Sequence, residues 1–375
     1  MALGGSAIPT RRLFVKALGT TAAVTGAARA SAQATRSPAR TTGPRRRLKP
    51  IGSPVLDSLR PVIEGSRQVK TDLTKVVEVA KWMAYEELPF PQFILPFGLE
   101  KNRDEAIDFT MVSSSINSAF SDFDTGVKFV AQYQGQSWSD SQGMSACLKR
   151  AMESGIDVLD GRYLEKITRP ELARIFEGNI EMPMLDEKLQ VLNAVGLALT
   201  ERHGGFFHNF VATCSPRLFD GGKGLVDRLV AEFPRFNDVS PYRGQEIKFF
   251  KLAQLAYWGL YSGFRGHGGF RIDDMGSMTA FADYIVPVAL RVMGILVYSP
   301  QLDEKIRTHQ LILRDSDEEI EIRAHMLYAS ALLTEEINAL RPAELQVIIP
   351  QVDARLWLNY HTTHWPHHLT RTIMY

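Results

Sequence analysis

Between Val69 and Tyr360 the chain repeats one pattern: apolar residues at helical spacing, in stretches closed by glycine or proline. A chain built that way buries its apolar stripes by packing helix on helix. Val69, Leu73, Val76, Val77, Ala80 and Met83 recur three or four apart and predict a helix over 69–86. Further helices are predicted over 104–120, 141–155, 168–176, 185–203, 224–233, 246–261, 279–293, 317–340 and 343–360. Their ends carry the matching punctuation. Thr168-Arg169-Pro170-Glu171 is a capping box with its proline in the first turn. Gly204 and Gly205 close one helix, Pro234 stops another, and Ser316 or Asp317 opens the longest. Val127 to Trp138, turning at Gly135, is the one clear β signal. The expected fold class is therefore all-α (mainly α with one small β-hairpin), a bundle-like body over 51–375.

Charge is distributed unevenly. Of the 43 Lys and Arg residues, ten lie in residues 1–50, which contain no acid; the rest of the chain then holds an excess of nine acidic residues. An acidic body argues against broad binding of a nucleic-acid backbone. Thr10-Arg11-Arg12-Leu13-Phe14-Val15-Lys16 resembles a twin-arginine export signal, with Ala30-Ser31-Ala32 as a cleavage site. The same Arg, Ser and Ala richness also fits an organellar transit peptide or a disordered basic tail, so residues 1–50 are expected to lie outside the fold. Two cysteines, Cys147 and Cys214, suggest buried thiols and no disulfide framework. No apolar run reaches the ~18 residues a membrane span needs.

The stretch Asp274–Pro287, DMGSMTAFADYIVP, sets a lone carboxylate, Asp283, in an apolar run. A carboxylate there must be hydrogen-bonded, as at a helix start, or used chemically. A glycine-rich approach, Gly266-His267-Gly268-Gly269, precedes it and offers backbone amides to a phosphate, with Arg265, His267 and Arg271 around it. Lys251 lies on a mostly apolar helix face, suited to snorkelling or to pairing with a carboxylate or phosphate. Phe90, Phe93 and Leu95 make a packed loop or a cavity wall. Glu319, Glu321 and Arg323 are expected to form helix-surface and partly buried ion pairs. His361, His364, His367 and His368 crowd the chain end, but Pro366 breaks the helix and no acid or cysteine lies among them, so no metal site is assigned.

Four segments carry a resemblance: FFKLAQ (Phe249–Gln254), Asp274–Pro287, EIEIRA (Glu319–Ala324) and HLTRTIMY (His368–Tyr375). In order and spacing they resemble the queuosine salvage family, over roughly Pro61–Tyr375. The resemblance implies a helical fold like that of the helix-hairpin-helix DNA glycosylases. It also implies hydrolysis of the N-glycosidic bond of queuosine 5′-phosphate, releasing queuine for salvage into tRNA modification, with no cofactor, no metal and no direct nucleic-acid partner. Asp283 takes the place of the catalytic aspartate, with Phe281, Lys251, Asp353 and Tyr284 at substrate-binding positions. Glu86 is added to these, standing where the family carries a histidine. Ala354 and Leu358 replace a tyrosine and an aspartate, so the identity of the base is not carried over. The alternatives are a non-catalytic nucleotide-binding relative, a glycosidase for another nucleoside monophosphate, and a DNA-repair glycosylase using Lys251 as an amine nucleophile.

Overall fold

In the computed structural model, residues 53–91, 99, 101–265 and 267–375 are described. The basic segment, most of the linker after it, Phe93, Leu95 and Gly266 lie outside the described residues. The architecture is mainly helical, as the periodicity requires, and it is built around one helix, Asp317–Leu340. Ser316 caps its start, accepting from Glu319 N at 3.3 Å. Residues are buried on every side of it, from Glu319 to Ile337. The helices Arg60–Gly65, Leu73–Met83, Val286–Val292 and Ile349–Tyr360 pack around it.

A helix wrapped on all sides must satisfy its polar side chains internally. Glu319, Glu321 and Arg323 are all 0% exposed, so the expectation of helix-surface pairs fails. Among the described residues Glu321 makes no ion pair; it accepts from the backbone amides of Arg67, Gln68 and Val69 and from the Tyr242 hydroxyl. His325 bridges Ser66 Oγ (2.8 Å) and Thr71 Oγ1 (2.9 Å). Burial alone lowers its pKa to about 4. The unfolded chain therefore binds the proton more readily, so this group's contribution to stability is complete above pH ~6.5 and is lost as pH falls toward 4. The expected result is that the stability advantage of wild type over His325→Gln, read from urea unfolding, shrinks between pH 7.5 and pH 5. An advantage that held or grew would contradict the assignment.

Among the described residues three two-stranded antiparallel pairs decorate the helices, where the sequence predicts one. Val130–Tyr133 pairs with Gln136–Ser139 across Gln134-Gly135, the foreseen hairpin. Val239–Tyr242 pairs with Gln245–Lys248, displacing the start of the helix predicted over 246–261. Its turn residues Arg243 and Gly244 both have positive φ (49° and 80°), the two-residue turn that matches strand twist. Val69–Thr71 pairs with Leu296–Tyr298, so the helix predicted from 69 begins instead at Leu73, with Asp72 accepting from Thr74 N and Lys75 N. The helix predicted over 104–120 runs Arg103–Ser115, and that over 343–360 starts at Ile349 after a short 3-10 turn. Over 279–293 only Val286–Val292 is helical. Thr279–Ile285 is a non-helical segment, and it contains Asp283. Cys147 is buried and Cys214 half-buried, both as free thiols.

Candidate active site

Three helices each send one polar side chain to the backbone of the segment Thr279–Ile285. Gln254, from the helix Lys251–Gly263, accepts from Thr279 N (2.9 Å) and donates to its hydroxyl (2.9 Å). Asp353, from Ile349–Tyr360, accepts from Phe281 N at 3.0 Å. Arg323, from the central helix, donates through Nε to Ala282 O at 3.2 Å. The segment thus hangs from side chains instead of from a helix ladder, and each of these bonds is fully buried. Asp283 closes it: its Oδ1 accepts from Ile285 N (2.9 Å) and Val286 N (3.1 Å), the entry to the next helix. The structural and chemical readings of Asp283 are therefore compatible, because one oxygen caps while the carboxylate charge stays in the site.

Lys251 is set just as firmly. Its helix begins after Phe250, which sits in the left-handed region (φ 48°), a conformation costing an L-residue ~1–2 kcal/mol. Asp238 offsets this: its carbonyl accepts from Phe249 N and Phe250 N, and its carboxylate from Lys251 N (3.4 Å). That carboxylate also takes two bonds from the Arg323 guanidinium, Nη1 at 3.1 Å and Nη2. Arg323 completes its shell with Glu319 at 3.4 Å and lies over the rings of Phe249 (3.9 Å) and Tyr375 (4.5 Å). One buried guanidinium therefore ties the Asp283 segment to the start of the Lys251 helix.

Asp283, Lys251 and Asp353 are 6%, 8% and 3% exposed. Burial pushes the Asp283 carboxyl above the usual range, against Lys251 and the two amides, which favour its charge. Burial lowers Lys251, opposed by Asp283 and assisted by Arg323. Asp353 is raised well above the usual range, first by burial and then by the charge of Asp283. The three groups form one electrostatic unit, two carboxyls about one ammonium. Beside it Phe281 is buried against Trp258, which in turn meets Phe90 at 5.5 Å between centroids. Tyr284 is 38% exposed and carries His367 on its ring at 4.5 Å.

Asp283, Lys251, Asp353, Phe281 and Tyr284 thus come together. Glu86 does not arrive as an unoccupied acceptor: Arg355 binds both its oxygens, at 2.8 and 2.9 Å. Two of the three basic residues near the glycine-rich turn are also engaged, Arg265 over Phe90 and Arg271 with Asp273. The four histidines are dispersed: His361 stacks on Trp357, His364 is exposed, His367 meets Tyr284, and buried His368 bonds the Tyr375 hydroxyl. Among the described residues no group of three or more His, Cys, Asp or Glu side chains is placed to hold a metal ion. Gln254, Asp238 and the positioning role of Arg323 escaped the sequence reading. Gln254 and Arg323 lie inside the motifs quoted above, whereas Asp238, just before the strand Val239–Tyr242, carries no local signal.

The profile of the queuosine salvage protein family matches residues 97–375, and the chain belongs to that family. A protein of Sphaerobacter thermophilus named queuosine 5′-phosphate N-glycosylase/hydrolase is 33% identical over 86% of this chain and 97% of its own. Proteins of the same name from Mus musculus and Schizosaccharomyces pombe are 27% and 28% identical, over 85% and 76% of this chain and 98% and 86% of theirs. No helix among the described residues is long and apolar enough to cross a membrane.

Proposed function

We propose that this protein hydrolyses the N-glycosidic bond of queuosine 5′-phosphate, releasing queuine for salvage into tRNA modification. The observation that carries the reading is the buried Asp283 carboxylate, tethered through one oxygen to Ile285 N and Val286 N and attracted to Lys251. Cleavage of such a bond passes through a ribosyl cation. A carboxylate beside the anomeric carbon stabilises that cation, and it deprotonates the attacking water. A 7-deazapurine has no N7 to protonate, which places more of the barrier on cation stabilisation. Phe281 and Tyr284 supply aromatic surface for the base and sugar, and Lys251 supplies charge for the substrate. This chemistry requires no metal or cofactor.

The same chemistry on a different nucleoside monophosphate is the second reading. It is favoured by Glu86, whose carboxylate is taken up by Arg355 at a position where the family carries a histidine. Incubation with a panel of nucleoside 5′-monophosphates, with released base read by mass, separates the two. Release of a base other than queuine as the fastest product would replace the first reading with the second. A protein that cleaves none of them, and instead traps on abasic DNA under borohydride, would point to amine chemistry at Lys251.

The helical body is further proposed to share the architecture of the helix-hairpin-helix DNA glycosylases while binding a small nucleotide and no nucleic acid. Residues 1–50 are proposed to be an address or tail outside this catalytic body, because they lack core periodicity and any acid. Deleting them is expected to leave kcat within about twofold and unfolding cooperative. Loss of a cooperative melting transition would place the segment in the fold.

A further inference from the structure

The reaction proposed above requires two proton movements. Water loses a proton as it joins C1′, and the departing base gains one. Asp283 answers the first demand, and one other carboxyl stands beside it. Asp353 is 3% exposed, on the helix Ile349–Tyr360, and its Oδ1 accepts from Phe281 N at 3.0 Å. That bond fixes it to the backbone two residues before Asp283. Asp283 is fixed in the same manner, through Oδ1 to Ile285 N and Val286 N. Each carboxyl therefore keeps its second oxygen for chemistry. Their surroundings differ: Asp283 has two amide donors, Asp353 has one. A buried pair of carboxyls about a single ammonium does not stay doubly ionised.

We propose that Asp353 holds the proton and is the general acid that protonates the departing base, with Asp283 as its ionised partner. The inference rests on the N-glycosidase reading and adds a residue role to it. Environments that drive two carboxyls apart assign acid and base. Here burial and the charge of Asp283 raise Asp353 well above the ordinary range, while the Phe281 amide and Lys251 oppose them. Asp283 has Lys251 and His367 as the charges favouring its ionised form, and Lys251 in turn faces Arg323 and Asp238.

The step balances as follows. The C1′–N bond breaks and its electron pair goes to the base nitrogen. The water oxygen bonds C1′, and its proton passes to the Asp283 carboxylate. The Asp353 proton passes to the base, which leaves neutral. Transfer of the proton from Asp283 to Asp353 restores the starting state, so the net change is one water added across one bond.

The test compares two leaving groups in wild type, Asp353→Asn and Asp283→Asn: queuosine 5′-phosphate, and the 4-nitrophenyl ribofuranoside 5-phosphate, whose nitrophenolate departs without a proton. Asp353→Asn is expected to lose ~10²–10³-fold in kcat on queuosine 5′-phosphate, with KM within about threefold, and to match wild type within about threefold on the nitrophenyl compound. Asp283→Asn is expected to lose activity on both. Equal slowing of Asp353→Asn on the two substrates would make it a binding residue and overturn the proposal, as would unchanged kcat on the natural substrate. A measurement on wild type alone guards against a misfolded variant. Across a series of aryl ribofuranoside 5-phosphates, an acid-assisted enzyme shows a shallow dependence on leaving-group basicity, and a steep one overturns the proposal. Should wild type ignore queuosine 5′-phosphate yet cleave another monophosphate, the substrate assignment fails; the comparison on that monophosphate still decides the acid.

Discussion

Asp283→Asn is expected to abolish turnover of queuosine 5′-phosphate while leaving folding and binding nearly intact. The amide has the size of the carboxylate, and its oxygen can still accept from Ile285 N and Val286 N, so the entry to the helix Val286–Val292 is preserved. The negative charge facing the ribosyl cation is lost, and so is the base for water. Losing charge stabilisation costs ~10²–10³-fold, and losing general base catalysis a further ~10²–10⁴-fold, so a drop of at least ~10⁴-fold in kcat is expected. Melting should move by no more than about 4 °C, because the cap survives and a buried charge is removed. Were Asp283 only a cap, asparagine would cap nearly as well and the rate would barely change. Turnover and melting measured on the same preparations separate these outcomes.

Arg323→Met is expected to have the largest effect on stability. Arg323 and Glu319 are fully buried, with Asp238 1% exposed beside them. Removing the guanidinium leaves two carboxylates without their cation, and breaking one side of a buried pair costs ~3–5 kcal/mol. The bond to Ala282 O and the contacts with the Phe249 and Tyr375 rings go with it. Any folded fraction should also turn over slowly, because the Asp283 segment and the start of the Lys251 helix lose their common tie. Arg323→Lys should fall short of wild type too, since a single ammonium cannot form the planar fork with Asp238. Adding Asp238→Asn to Arg323→Met should recover part of the loss, since it removes one of the orphaned charges. A change below about 1 kcal/mol in urea unfolding would show that the cluster is dispensable.

What was legible in the sequence follows from how local each signal is. The central helix is predicted over 317–340 and runs Asp317–Leu340, because its cap and its periodicity both lie within or beside the segment. The capping box at Thr168 opens its helix as written. The strands at Val69–Thr71 and Gln245–Lys248 were lost to helices, since each is short and adjoins a genuine helical stripe; only the distant partner Leu296–Tyr298 distinguishes the first. The apolar residues of Thr279–Ile285 suit a buried helix equally well, so periodicity alone predicts helix there. Its actual shape depends on Gln254, Arg323 and Asp353, which lie far off in sequence. Asp283 was found by its isolation in an apolar run. Asp353, alone in its helix, came only through resemblance.

The central claim is tested most directly by incubating the purified wild-type chain with queuosine 5′-phosphate and following both products by mass. The account predicts queuine and ribose 5-phosphate released in equal amounts, with turnover by wild type and none above background by Asp283→Asn. Intact substrate after incubation with the folded wild-type protein, or equal release by the Asp283→Asn variant, would contradict it.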